Sequence, residues 1–111
     1  MAIHTESLVQ KHCVPCHGGV EPLRGEPLNT MLRQTPQWTL VGGEKIVREV
    51  AFKNYAQTLA FVNRVAELAQ AENHHPEIAF TYNKCRLELQ THAIGGLSEN
   101  DFILAAKIDE L

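Results

Sequence analysis

The sequence has no basic block and no excess of positive charge. Its ten Lys and Arg residues are scattered from Lys11 to Lys107 against thirteen Asp and Glu, for a net charge of -3. Without an electrostatic footprint for phosphates, direct nucleic-acid binding is disfavoured. Long apolar runs are missing too: there are only short pieces such as Leu59 to Val62, far below the roughly 18 residues that span a bilayer. The first residues, Met-Ala-Ile-His-Thr-Glu, carry neither a basic nor an apolar leader pattern, so the cytoplasm is the expected compartment. Cysteine is scarce at three residues in 111. In a reducing compartment these are expected as thiols, metal ligands or redox groups rather than structural disulfides.

What remains is the composition of an ordinary globular protein, 44% hydrophobic and 21% charged. A chain of this length accommodates one core, so a single domain is expected over 1–111. Residues 1–25 stand apart as a Cys/Gly/Pro-rich N-terminal extension, irregular or only partly helical.

The body is strongly patterned. Leu28, Met31 and Leu32 fall at helical spacing between Glu26 and Gln34, with Pro27 acceptable in a first turn and Pro36 closing the segment. Two β-rich runs, Trp38 to Val41 and Lys45 to Phe52, flank Gly42-Gly43 and predict a hairpin, although Val47 and Ala51 interrupt the alternation. Asn54 is placed to cap a long helix whose inward half is predicted to hold Tyr55, Leu59, Val62, Val65, Ala66 and Ala69. That helix must stop before Pro76. A second hairpin follows: Ile78, Phe80 and Tyr82 alternate, then Cys85, Leu87 and Leu89 after Asn83-Lys84. Gly95-Gly96 breaks the strand, and Ser98 with Asp101 forms a capping-box pattern. In the final helix Phe102, Ala105 and Ala106 are predicted to face inward, with Ile108 at the flank.

The order is α-β-β-α-β-β-α with short connections, which favour antiparallel pairing. The expected fold is α+β: a four-stranded antiparallel sheet with three helices packed on one face.

Two constellations bear on chemistry. Cys13-Val14-Pro15-Cys16-His17 matches the attachment signature of c-type haem. Such attachment belongs to an exported or organellar compartment, and Met31, the only internal methionine, is too near for a usual distal ligand. A zinc reading would use Cys13, Cys16, His17 and perhaps His12, but no second paired cluster is evident. A pair of cysteines in a surface turn is the plain alternative. The second constellation is His74-His75-Pro76, with His92 beyond the second hairpin and Asp101 at the start of the last helix. Three imidazoles around one pocket could run a dehydration without metal, since histidine both gives and takes protons near neutrality. Each could equally be a satisfied surface or core residue, and Asp101 simply the capping partner of Ser98.

The segments Glu72-Asn73-His74-His75-Pro76-Glu77, Tyr82-Asn83-Lys84, Thr91-His92, Gly96-Leu97-Ser98, Asp101 and Ala105-Ala106-Lys107-Ile108-Asp109 together resemble the pterin-4a-carbinolamine dehydratases, bacterial type. The likeness runs from about Trp38 to Asp109 and includes Asn54, Phe61, Arg64 and Val65. It implies a hydro-lyase without cofactor or metal that converts 4a-hydroxytetrahydropterin to quinonoid dihydropterin in tetrahydrobiopterin recycling. By residue match it implies catalytic roles for His74, His75 and His92, with Asn73, Thr91 and Asp101 at the pterin, Pro76 there too and shaping the first turn, and Trp38 either lining the pocket wall or packed in the core. His92 and His74 are assigned the proton transfers and His75 the orientation of the ring. Self-association as a dimer or tetramer is implied, as is a link to aromatic amino-acid hydroxylation. So is an alternative role as a non-enzymatic dimerisation cofactor, since animal members of the family serve a transcription factor in that way. Two departures stand out. Many members have a carboxylate where this chain has Gln70, leaving the orientation of His74 in question, and some have an aromatic residue at Ile78.

Overall fold

The computed structural model describes residues 7–14 and 20–111. Helix α1 (Gly25–Gln34) leads into strands β1 (Thr39–Val41) and β2 (Lys45–Ala51). Helix α2 (Tyr55–Glu72) is followed by β3 (Glu77–Phe80) and β4 (Lys84–Leu89), and α3 (Glu99–Asp109) ends the chain. Two short 3-10 turns, Leu8–Gln10 and His92–Ile94, lie outside this frame. The sheet order is β1-β2-β4-β3, and each neighbouring pair is antiparallel. The α+β fold expected from the patterning is the fold observed.

Local chemistry accounts for the junctions. Gly42 and Gly43 take φ of 62° and 74° at the first hairpin, a conformation that costs glycine little. Asn54 accepts a hydrogen bond from the Gln57 backbone N–H at 2.9 Å, and the Gln57 side chain accepts from Lys53 N–H at 3.1 Å, so both sides of the α2 start are satisfied. The Thr58 hydroxyl lies 2.9 Å from the Tyr82 carbonyl oxygen, tying that start to the β3–β4 turn.

The core lies between the helices and one face of the sheet. Leu28, Phe61, Val65, Phe102, Leu104 and Ile108 meet Ile46, Cys85, Leu87 and Leu89 there. Trp38 is part of this core, and its indole N–H donates to Asp109 at 3.0 Å, where the Arg48 guanidinium also binds. The opposite sheet face carries charge, with Lys45 2.9 Å from Glu88 and Arg86 3.0 Å from the same carboxylate. Val47, which broke the alternation in β2, is buried outside the core cluster in register with Thr39 and Glu88.

Three details differ from expectation. The inward stripe of α2 is Thr58, Phe61, Val65, Ala69 and Glu72, while Tyr55, Leu59 and Ala66 are exposed. Helix α3 is buried on nearly every side, from Asn100 to Ala105 and again at Ile108. Strand β3 ends at Phe80, and both Phe80 and Tyr82 face solvent.

Candidate active site

Helix α2 ends by a specific device. Asn73 takes the left-handed conformation (φ 52°) and its N–H reaches back to the carbonyls of Ala69 and Gln70. Asparagine is among the few residues that tolerate this cap. The chain is thereby turned so that His74 and His75 leave the helix axis together, and Pro76 prevents the helix from resuming. His92 opens the 3-10 turn that follows β4. All three histidines line one pocket of about 410 Å³, together with Val14, Asn73, Gln90, Thr91, Ala93 and Asn100. That volume suits a small bicyclic ligand.

Beneath the pocket lies a buried polar relay. Asp101 is completely buried. Its Oδ2 accepts from the Thr91 hydroxyl at 2.7 Å and from the Ser98 backbone N–H at 3.0 Å, and its Oδ1 lies 2.6 Å from His74 Nε2. Since Thr91 gives its one hydroxyl proton to Asp101, the Ser98 hydroxyl, 2.8 Å away, is the donor between the two. A carboxylate only accepts, so His74 Nε2 carries a proton and Nδ1 is the nitrogen left for chemistry. The orientation left open by Gln70, which is exposed, is thus supplied by Asp101 instead. Asp101 acts both as the capping partner of Ser98 and as the support of His74.

Other expected site residues fall at varying distance from the pocket. Asn73 lines it, and Thr91 does too, although its hydroxyl is occupied by the relay. Pro76 is half-buried and shapes the turn without lining the pocket. Trp38 does not line this pocket: its ring is in the core and its N–H is taken by Asp109, the second of the two places the sequence left open for it. His75 and His92 are exposed, while His74 is largely covered.

Sequence reasoning missed Val14, Gln90, Ala93 and Asn100 as lining residues, and missed Glu72. The Glu72 carboxylate is buried and accepts from the Cys13 backbone N–H at 2.8 Å; His12 Nδ1 lies 2.9 Å away and Lys107 Nζ 3.7 Å. Burial opposes its ionisation, but these donors and the lysine charge outweigh burial and hold its pKa below the ordinary value. The Cys13 thiol lies 3.5 Å from the Asn100 carbonyl oxygen. Burial, then the charge of Glu72 and a hydrogen bond with it, push this thiol up to about 12, which favours the protonated thiol at neutral pH. Cys16 and His17, the rest of the haem-like motif, lie outside the described residues. Among the described residues no group of three or more His, Cys, Asp or Glu is arranged to hold a metal ion.

The sequence model of a known family, pterin 4 alpha carbinolamine dehydratase, matches residues 21–111. The chain belongs to that family. A protein of Nitrosospira multiformis named "Putative pterin-4-alpha-carbinolamine dehydratase" is 53% identical over 106 residues, covering 96% of this chain and 93% of its own. One of the same name from Rubrobacter xylanophilus is 48% identical over 104 residues, 94% of this chain and 97% of its own. Among solved structures, a transcriptional coactivator/pterin dehydratase from Brucella melitensis superposes with a TM-score of 0.76 at 32% identity, covering 81% of this chain and 97% of that one. A pterin dehydratase-like protein described as a RuBisCO assembly factor in the alpha-carboxysome gives 0.58 at 26% identity, over 67% of this chain and 87% of that one. Among the described residues no helix is long and apolar enough to cross a membrane.

Proposed function

We propose that the histidine pocket dehydrates a 4a-hydroxytetrahydropterin to the quinonoid dihydropterin, in pterin recycling of the kind that supports aromatic amino-acid hydroxylation. The observation that carries this reading is the convergence of His74, His75 and His92 on one pocket in a member of this family. In the reaction the C4a–O bond breaks, a proton joins the departing hydroxyl to form water, and the N5 proton is removed as the C4a–N5 double bond forms. An acid and a base must therefore address one ring from different directions. His74, from the end of α2, and His92, from the turn after β4, are assigned these transfers, and His75 the orientation of the ring. Asp101 keeps Nδ1 of His74 available for its share, and Asn73 contributes polar contact at the rim. A cytoplasmic setting suits the free thiols of Cys13 and Cys85.

The deciding experiment follows the disappearance of 4a-hydroxytetrahydropterin with and without the protein; no acceleration over the spontaneous rate would end the dehydratase reading. Because the proton transfers require only imidazoles, turnover is expected to be unchanged in chelator and the purified protein to show no Soret band. Activity lost to chelator would restore a metal role to the histidines or Cys13, and a covalent haem would restore the reading of Cys13, Cys16 and His17.

A second reading, an interaction or dimerisation role, is favoured by one surface. Tyr55, Leu59, Phe80 and Tyr82 are all exposed, and the Tyr55 ring sits 6.3 Å from that of Tyr82 and 6.4 Å from that of Phe80. Exposed aromatics gathered in this way mark a contact surface. Light scattering at micromolar concentration is expected to give a dimer or tetramer; a 12.4 kDa monomer would remove self-association from the account.

A further inference from the structure

We infer that the N-terminal segment is a wall of the substrate pocket and that Val14 is its ligand-contacting residue, a role that rests on the dehydratase reading above. The segment is built into the fold at two places. Along residues 8–14, Leu8 is buried, Lys107 Nζ donates to the Val9 carbonyl at 2.9 Å, and Lys11 pairs with Glu99 at 2.7 Å. The Cys13 N–H is held by Glu72, the residue directly before the Asn73 cap. Val14 is then clamped at both backbone groups by one side chain: its N–H donates to Asn100 Oδ1 at 3.0 Å, and Asn100 Nδ2 donates to its carbonyl at 2.6 Å. Asn100 itself is buried. At the second place, Leu23 N–H donates to the Leu97 carbonyl at 2.8 Å. There Pro22 lies so close to Gly96 that a Cβ on that glycine would stand 2.7 Å from the Pro22 Cβ. The first anchorage abuts the helix end that presents His74 and His75, and the second abuts the loop that presents His92.

Against this fixed backbone the Val14 side chain is 65% exposed and lines the histidine pocket. It therefore contributes little to the core, yet it cannot wander. Among the described lining residues only Val14 and Ala93 are aliphatic, the others being Asn73, His74, His75, Gln90, Thr91, His92 and Asn100. The bicycle of a 4a-hydroxytetrahydropterin is edged by N–H and carbonyl groups and has an apolar corner at C6 and C7; the polar residues suit the edges and Val14 suits that corner. The matched family region begins at residue 21, so Val14 and its anchorage along residues 8–14 lie before that region, while Pro22 and Leu23 lie within it.

Val14→Ala is expected to raise KM about fivefold with kcat within about twofold of wild type, the signature of lost uniform binding. Its melting temperature should be unchanged, because the side chain is exposed. The Kd for 7,8-dihydropterin, measured by calorimetry, should rise by the same factor, while Val41→Ala, another exposed valine on β1, serves as the control and moves neither. Asn100→Ala, which releases the clamp, should raise KM in the same direction together with a lower melting temperature. A folded Val14→Ala protein with wild-type KM and wild-type dihydropterin Kd would overturn the inference. The binding measurement decides it even if the wild-type protein shows no turnover, an outcome that would count against the dehydratase reading alone.

Discussion

Replacing His92 by alanine is expected to lower turnover by roughly 10²-fold or more, the usual consequence of removing a positioned acid or base, with almost no change in melting temperature. The side chain is exposed, and the turn that carries it is held by backbone bonds, Ile94 N–H to Thr91 O at 3.2 Å and Gly95 N–H to His92 O at 3.1 Å, which alanine retains. His75→Ala should differ in kind, raising KM more than it lowers kcat, as befits a residue that binds substrate and transition state about equally. If these histidines were merely surface residues, both variants would turn over at the wild-type rate per folded molecule. Undiminished turnover in folded His92→Ala would shift the proton transfers to His74 and its support.

The second large effect is expected at Asp101. Asp101→Ala would leave the Thr91 hydroxyl, the Ser98 N–H and His74 Nε2 without their acceptor in a buried site, a loss of about 3–5 kcal/mol. For a domain of this size that lowers the melting temperature by more than about 10 °C. Asp101→Asn isolates the functional part. Its carbonyl oxygen can still accept from Ser98 and Thr91, but its amide would point a donor at His74 Nε2 and force the ring proton onto Nδ1, removing the nitrogen intended for substrate. We expect kcat to fall at least about tenfold with little change in KM, in a protein that remains folded. Wild-type kcat in folded Asp101→Asn would show that Asp101 serves only the cap of α3.

Much of the frame was legible because its signals are local. The Gly42-Gly43 turn, the Asn54 cap, the alternation of Cys85, Leu87 and Leu89, and the Ser98–Asp101 box each depend on residues within a few positions of one another. The face of α2 was less legible because two of its buried positions are polar. Thr58 and Glu72 are tolerated inside since each has partners, the Tyr82 carbonyl for one and Cys13 with His12 for the other, and no hydropathy pattern registers a satisfied polar group. Asp101 was half legible: the cap explains one of its oxygens, and the other serves a histidine 27 positions away. For Trp38 the residue match left pocket wall and core both open, and its ring lies in the core with its N–H engaged by Asp109. The docking of residues 8–14 left no local trace at all. Its contacts join positions 59 to 98 apart, and the Cys13-x-x-Cys16 spacing drew attention to ligand chemistry instead.

Those separations also order events in time. Residues 9 to 14 find their partners at Glu72, Glu99, Asn100 and Lys107, three of the four in the last helix. Residues 9 to 14, synthesised before that helix, therefore have no complete seat until it has emerged and packed. Contacts so distant along the chain are also the slowest to close in a refolding polypeptide. The sheet can begin to pair beforehand, whereas the valine wall inferred for the pocket cannot be seated until the helix that carries Glu99, Asn100 and Lys107 is in place.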